Sequence, residues 1–181
     1  MEKETQGFLS DVEADQNAGG SSLPVLIEDG APLNAEYLFK AVNLQVKYSA
    51  SEKNLGHPYI NGRADVLEPE DFEGDSIYFM LWCPAVPADD ASKKDMRTAE
   101  SGQKRFKAQV EAIGGGDSFT GLPGDMEEAM HTLAEILDEQ TFVGRLGYES
   151  LKKEQKAAGY TARAKIKEFR NAEQYGEEEG A

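Results

Sequence analysis

Ser76-Ile77-Tyr78-Phe79-Met80-Leu81-Trp82-Cys83 is the strongest apolar run in the chain. Pro84 and Pro87 stop it, and an acidic connection from Glu68 to Gly74 leads into it. Nearly continuous apolarity over so short a run is the pattern of a central strand covered on both faces. On this reading Tyr78 and Trp82 belong to the core, and Cys83 is an inert buried thiol.

Two further strands precede this run. Tyr37 to Tyr48 is free of Gly and Pro and rich in aromatic and β-branched residues. Leu38, Val42, Leu44, Val46 and Tyr48 fall on one face, and Asn43, Gln45 and Lys47 on the other. Lys40 breaks this period-two alternation. Ser49 to Pro58 reads as a polar loop. Tyr59 to Leu67 is a second strand, with Ile60, Ala64 and Val66 on one side and Arg63 and Asp65 on the other.

Downstream the pattern changes. Ala88 to Gly102 reads as a charged loop. Gln103 to Ile113 is predicted helical, with Phe106, Val110 and Ile113 at spacings of four and three. Gly114-Gly115-Gly116 ends it. Asp125 to Asp138 is a second helix, lined by Met126, Met130, Leu133, Ile136 and Leu137. Its first turn carries Asp125, Glu127 and Glu128, where the helix dipole favours acids. Gln140 to Tyr148 and Thr161 to Phe169 then read as strands four and five. In the last, Ala162, Ala164 and Ile166 alternate with Arg163, Lys165 and Lys167.

Three strands, a helical insertion and two more strands form an α+β, mainly β chain. That order is the arrangement of a five-stranded OB-type barrel. A β-sandwich and an irregular α+β fold are the alternatives, although too few strands are present for a full immunoglobulin-type sandwich. The barrel is expected over residues 36–170. Residues 1–35 contain Gly19-Gly20-Ser21-Ser22, which is linker chemistry, and are expected to form a flexible acidic arm. Leu23 to Ile27 is an apolar patch able to add one edge strand. Residues 171–181 are expected to be an acidic, disordered tail.

The 181 residues suffice for one such domain with tails, and at 39% apolar content its core is not generous. No apolar stretch is long enough to span a bilayer, and the first ten residues lack the apolar stretch of a signal peptide. The lone Cys83 has no internal disulfide partner, which points to a cytoplasmic setting. The formal charge is −15, and it is unevenly spread. Residues 140–172 hold eight bases against three acids, and the segments on both sides are acidic. A polyanion thus has somewhere to bind, although a solvated charged surface explains the same residues.

Single-stranded nucleic acid is held by cations that follow the phosphates and by flat side chains that stack on bases. The cations available are Lys47 and Arg63 in strands one and two, Arg145 in strand four, Lys152 and Lys153 in the following loop, and Arg163, Lys165 and Lys167 in strand five. Tyr59, Tyr148 and Tyr160 are the stacking candidates. Each has a bland reading beside it. The strand-five cations suit an edge strand that guards against aggregation, and Tyr148 and Tyr160 suit a half-buried rim.

The segment Glu36-Tyr37-Leu38-Phe39-Lys40-Ala41-Val42 resembles the first strand of OB-fold proteins encoded in phage replication and recombination gene clusters. The later run Phe142-Val143-Gly144-Arg145-Leu146-Gly147-Tyr148-Glu149 and the strand Ala162 to Phe169 are similar to that group as well. The resemblance covers roughly residues 36–170 and is one of strand order and pattern. It implies a single-stranded DNA-binding protein of viral DNA replication or recombination. Glu177-Glu178-Glu179 resembles the acidic tails by which such proteins recruit replication partners, but the terminal aromatic of those tails is absent. A flexible polyanion of this kind can also occupy the basic groove until DNA displaces it, or simply aid solubility.

Enzyme chemistry is not expected. His57 and His131 are the only histidines, and neither falls in a metal-ligand spacing. The three glycines at 114–116 lack the Lys-Ser/Thr of a phosphate loop. No cofactor is implied. The competing function is a protein-interaction or virion-associated accessory module that uses the same barrel, a reading favoured by the net negative charge.

Overall fold

Five strands form one antiparallel sheet: β1 (Glu36–Tyr48), β2 (Pro58–Glu68), β3 (Ser76–Trp82), β4 (Thr141–Tyr148) and β5 (Ala164–Asn171). Their order is β3-β2-β1-β4-β5. The computed structural model describes residues 23, 27–28, 31–32, 36–52, 55–84, 89–148, 150–159 and 164–176. Expectations for the remainder, including most of both acidic arms, lie outside the described residues.

The sheet is strongly staggered. β1 pairs with β4 only from Glu36 to Lys40, whereas it pairs with β2 from Leu38 to Tyr48. Staggered strands curl rather than lie flat. Here the curl brings inward-facing rings of the two outermost strands together: Phe79 of β3 and Phe169 of β5 meet edge to face at 5.9 Å. No ladder joins those two strands among the described residues.

The run that reads as a central strand is therefore at one end of the ladder. Its burial alternates strictly. Ile77, Phe79 and Leu81 are buried, while Tyr78, Met80 and Trp82 are 55%, 50% and 42% exposed. This corrects the assignment of Tyr78 and Trp82 to the core. Apolar residues on the outward face had masked the alternation.

β1 is also read differently by the structure. Tyr37, Phe39 and Ala41 point inward, so Leu38 and Val42 are not on the buried side. A register shift between Val42 and Gln45, with Asn43 at φ 54°, then reverses the parity. Leu44 and Val46 lie against the core after this bulge. One inserted residue exchanges the two faces of a strand, which is why Lys40, outward before the bulge, breaks the alternation read along the whole strand.

Helices cover the core between strands three and four. α1 (Lys93–Gly114) begins ten residues before the predicted start. The Ser92 side chain caps it by accepting from Asp95 N–H at 3.1 Å. Ala99 is the one buried side chain in its first three turns, so periodicity cannot reveal that half. Gly115, at φ 92°, ends it. α2 (Met126–Leu137) is capped by Asp125, which accepts from Glu128 N–H at 3.1 Å. It buries Met130, Leu133, Ala134 and Leu137, while Met126 is exposed. A short α3 (Lys153–Ala157) interrupts the loop between β4 and β5.

The interior is aromatic. Phe39 and Phe142 are fully buried with ring centroids 5.5 Å apart, and Phe169 stacks on Phe142 at 5.5 Å. Full burial of each such ring contributes roughly 1.5–3 kcal/mol. Gly144 is a glycine because Phe39 covers it: a Cβ there would lie 2.6 Å from that ring.

Both domain edges are less sharp than the sequence suggests. Leu23, inside the expected N-terminal arm, is 2% exposed and belongs to the core cluster. Ile27–Glu28 pairs with Ala31–Pro32 in a small ladder of its own rather than joining the main sheet. At the other end Asn171 closes β5, and its side chain accepts from Glu173 N–H at 3.0 Å to start a single 3-10 turn.

Candidate nucleic-acid interface

The outward faces of β1, β2 and β3 carry the candidate site. In β2, Ile60, Gly62 and Ala64 point inward, which turns Tyr59, Asn61 and Arg63 outward. Register sets Tyr59 opposite Trp82, Asn61 opposite Met80 and Arg63 opposite Tyr78. On its other side Tyr59 lies opposite Lys47, and Asn61 lies opposite Gln45. Directly opposed residues share a face and touch. The Tyr59 and Trp82 rings lie 4.6 Å apart at 35°, and His57 stacks on Trp82 at 6.3 Å. The His57 ring is held in turn: its Nε2–H donates to the Cys83 carbonyl, which can only accept.

The result is an exposed strip of rings and thioether with amides along it and cations beside it. Exposed apolar surface in such a contiguous patch marks an interaction face. The rings are flat, partly exposed and already ordered by their neighbours, so stacking a planar ligand costs them little freedom. Lys47 is exposed. Arg63 is held by Asp65 through two hydrogen bonds, Nε–H to Oδ1 at 2.7 Å and Nη2–H to Oδ2 at 3.1 Å. That carboxylate pushes the guanidinium pKa up. An anion approaching Arg63 must therefore compete with Asp65.

Comparison with protein-family models and with curated proteins gives no match to this chain.

The cations and rings singled out in the sequence fall into separate groups. Lys47, Tyr59 and Arg63 belong to the strip just described. Tyr148, Lys152, Lys153, Lys165 and Lys167 form a second group around the β4–β5 connection. Tyr148 is 40% exposed and lies opposite Ala164, and Lys165 lies opposite Gly147. Lys165 and Lys167 are exposed, with the stem of Lys167 filling the space above Gly147. Lys152 and Lys153 stand exposed at the start of α3. Because β4 pairs with the Glu36 end of β1 and Lys47 sits at the other end, the two groups lie at opposite ends of that strand. Tyr160 and Arg163 lie outside the described residues.

Arg145 is engaged elsewhere. Its Nη2–H donates to Glu36 at 2.9 Å, and Glu168 lies 3.5 Å from its Nη1. Arg170 donates to the same Glu36 oxygen. Arg145, Arg170 and Glu36 are each about 13–15% exposed. Part of the positive charge counted in residues 140–172 is thus neutralised within the fold.

Tyr78, Met80 and Trp82 were missed as surface residues by the sequence reading. The signal available was side-chain type: the outward trio each combine apolar bulk with a polar or polarisable atom, while the inward trio are pure hydrocarbon. Among the described residues no group of three or more His, Cys, Asp or Glu is placed to hold a metal ion. No described helix is long and apolar enough to cross a membrane.

Proposed function

We propose that this chain is a sequence-nonspecific single-stranded DNA-binding protein built on an OB-type barrel, with the outward face of β2 and β3 as its base-stacking platform. The observation that carries the reading is the Tyr59–Trp82 pair, continued by Met80 and Tyr78 along an exposed strand. Every base has a π-face, so such a platform accepts a strand without reading its sequence. Lys47 and Arg63 flank it and supply positive charge for the phosphates. The β4–β5 connection, with Lys152, Lys153, Lys165, Lys167 and Tyr148, offers a second contact region.

The barrel reading rests on strand order, on the helical insertion after the third strand, and on Phe79 meeting Phe169 across edges that no ladder joins among the described residues. In OB barrels the face of strands two and three and the loops after strands one and four bind the ligand. Tyr59, Arg63, Tyr78, Met80 and Trp82 fall on that face and Lys152 and Lys153 on the loop after strand four, while Lys47, Tyr148, Lys165 and Lys167 lie on the neighbouring strands one, four and five. The cellular role that fits is coating of exposed strands in viral DNA replication or recombination, with the acidic tail as a contact for replication or recombination proteins.

A second reading has its own support. The chain carries a formal charge of −15, and Tyr78, Met80 and Trp82 are apolar enough to bury against another protein. That reading makes the chain an accessory interaction module without nucleic-acid binding.

Titration of the protein with oligo-dT separates the two. Trp82 is the only tryptophan, so its fluorescence reports directly on the platform. The DNA-binding reading expects quenching, with log affinity falling linearly as log salt rises, by roughly 0.7 per phosphate neutralised. No binding at micromolar protein in low salt leaves only the interaction module.

A further inference from the structure

α1 carries a ridge of cations that neither the stacking platform nor the β4–β5 connection includes. Its buried side chains are Ala99, Phe106, Val110 and Ile113, at spacings of seven, four and three. Lys93, Arg97, Lys104 and Lys107 repeat at four, seven and three, spacings that define a single helix face. At 100° per residue this face is centred about 135° around the helix from the buried one. Lys94 and Arg105 flank it, and all six cations are exposed. Lys107 is partly engaged, 4.0 Å from Glu111 and above the Phe119 ring. The other five have no ion-pair partner among the described residues. Glu100 lies between Arg97 and Lys104 on the ridge, and Glu111 continues its line past Lys107.

Two observations set this ridge apart from an ordinary solvated helix face. First, Lys93 and Lys94 outnumber the single acid Asp95 in the first turn of α1, where the helix dipole disfavours positive charge. α2 of the same chain obeys the dipole and places Glu127 and Glu128 there. Second, the ridge is strongly positive on a chain of net charge −15. Its position also matters. α1 packs against β5, β4 and β3, so it borders the strands that present Lys165 and Lys167 on one side and Tyr78, Met80 and Trp82 on the other.

We infer that the outward face of α1, through Lys93, Lys94, Arg97, Lys104 and Arg105, is a second phosphodiester track, engaged by single strands too long for the stacking platform alone. This rests on the single-stranded DNA reading and extends its site. From Lys93 to Arg105 the helix rises ~18 Å at 1.5 Å per residue. That length matches about five phosphates at the 3.4 Å spacing of a stacked strand. The track reads charge only, so it adds affinity and salt dependence without sequence preference.

The test compares wild-type protein with the triple variant Lys93→Gln, Arg97→Gln, Lys104→Gln, using dT8 and dT30 at several salt concentrations. Circular dichroism melts confirm that the variant folds. The expected result is a roughly tenfold or greater loss of dT30 affinity, a salt slope shallower by about 2, and dT8 affinity within twofold of wild type. Equal losses at both lengths reduce the ridge to a general charge effect and overturn the proposal, as does an unchanged dT30 affinity. Trp82→Ala, measured alongside, tests the platform separately. If it lowers affinity at both lengths, the platform reading stands whatever the triple variant does. If it lowers neither while the triple variant weakens dT30, the ridge holds and the platform reading alone falls.

Discussion

The rings of Phe79 and Phe169 meet edge to face at 5.9 Å, although no ladder joins their strands among the described residues. Side-chain packing thus joins the sheet's two outermost strands. Phe142 completes the contact from β4, 5.8 Å from Phe79 and 5.5 Å from Phe169. Replacing Phe169 by Ala removes one wall of this cluster and is expected to cost about 2–4 kcal/mol. The Phe79–Phe169 pair should show a coupling of about 0.5–1.5 kcal/mol in a double-mutant cycle measured by urea unfolding. Strictly additive losses mean that the rings are merely neighbours, and that the seam is held by something else.

Glu36 receives both Arg145 and Arg170 at a site where all three side chains are mostly shielded from water. Removing Glu36 takes away the carboxylate that both guanidiniums share, although Arg145 keeps Glu168 nearby. Glu36→Ala leaves two guanidiniums side by side and is expected to cost ~3 kcal/mol. Arg145→Gln is expected to lower the urea midpoint while leaving oligonucleotide affinity of the folded protein unchanged. The reverse result, full stability with a salt slope reduced by about 0.7, makes Arg145 a phosphate contact after all.

These two features show what the sequence could and could not reveal. The succession of strands and helices along the chain was legible because each strand is bounded by loops or turn residues and carries enough β-branched and aromatic side chains, whereas the place of Ser76–Trp82 at one end of the ladder was not. The facing of β1 was not, because the bulge at Asn43 reverses parity mid-strand, and a single asparagine, although tolerant of positive φ, is a weak mark of it. The outward trio Tyr78, Met80 and Trp82 was illegible for a different reason. Hydrophobic pattern equates apolar with buried, and an interaction face violates that equation. Arg145 looked available because charge counts along the chain ignore partners; Glu36 is 109 residues away in sequence. The first half of α1 was hidden because a helix with a single buried alanine in three turns has no periodicity to detect.

Alkaline pH should weaken the fold. Burial pushes the Cys83 thiol and the Tyr37 phenol above their ordinary values. The Tyr37 hydroxyl is buried with no hydrogen-bond partner among the described residues. Burial, together with Glu68 and Glu36, does the same to Tyr175. A group whose folded pKa is raised stabilises the native state fully below its unfolded value, and that contribution is lost as pH rises through the folded one. The unfolded thiol ionises near pH ~8.5 and the phenols near ~10. Above each value the unfolded chain has released a proton that the native state retains, so stability falls by up to about 1.4 kcal/mol per pH unit per group. The urea midpoint is therefore expected to be level from pH 7 to 8 and to decline above about pH 9. Cys83→Ala should delay the onset toward pH ~10. A midpoint unchanged through that range contradicts the assignment.

Trp82 offers the most direct discrimination at the candidate site, because its ring is part of the surface and not of the core. Truncation to Ala removes the contact with Tyr59 and His57, a cross-strand loss of about 1 kcal/mol at most, so the variant should fold. If a base stacks there, oligo-dT affinity should fall by 1–3 kcal/mol, roughly 5- to 150-fold. Trp82→Phe keeps a flat ring at the same register position opposite Tyr59 and should retain most of the affinity. Tyr59→Ala should weaken binding as well, and its effect should not add to that of Trp82→Ala, since the two rings lie within 4.6 Å and support each other. A ring that matters only for folding gives a different pattern: stability falls in all three variants, and affinity per folded molecule stays constant. A protein-interaction face gives another, with oligonucleotide binding absent in wild type and variants alike. Fluorescence anisotropy of labelled dT, read beside a urea melt of each variant, distinguishes all three, because stacking is the only cause that moves affinity while sparing the fold.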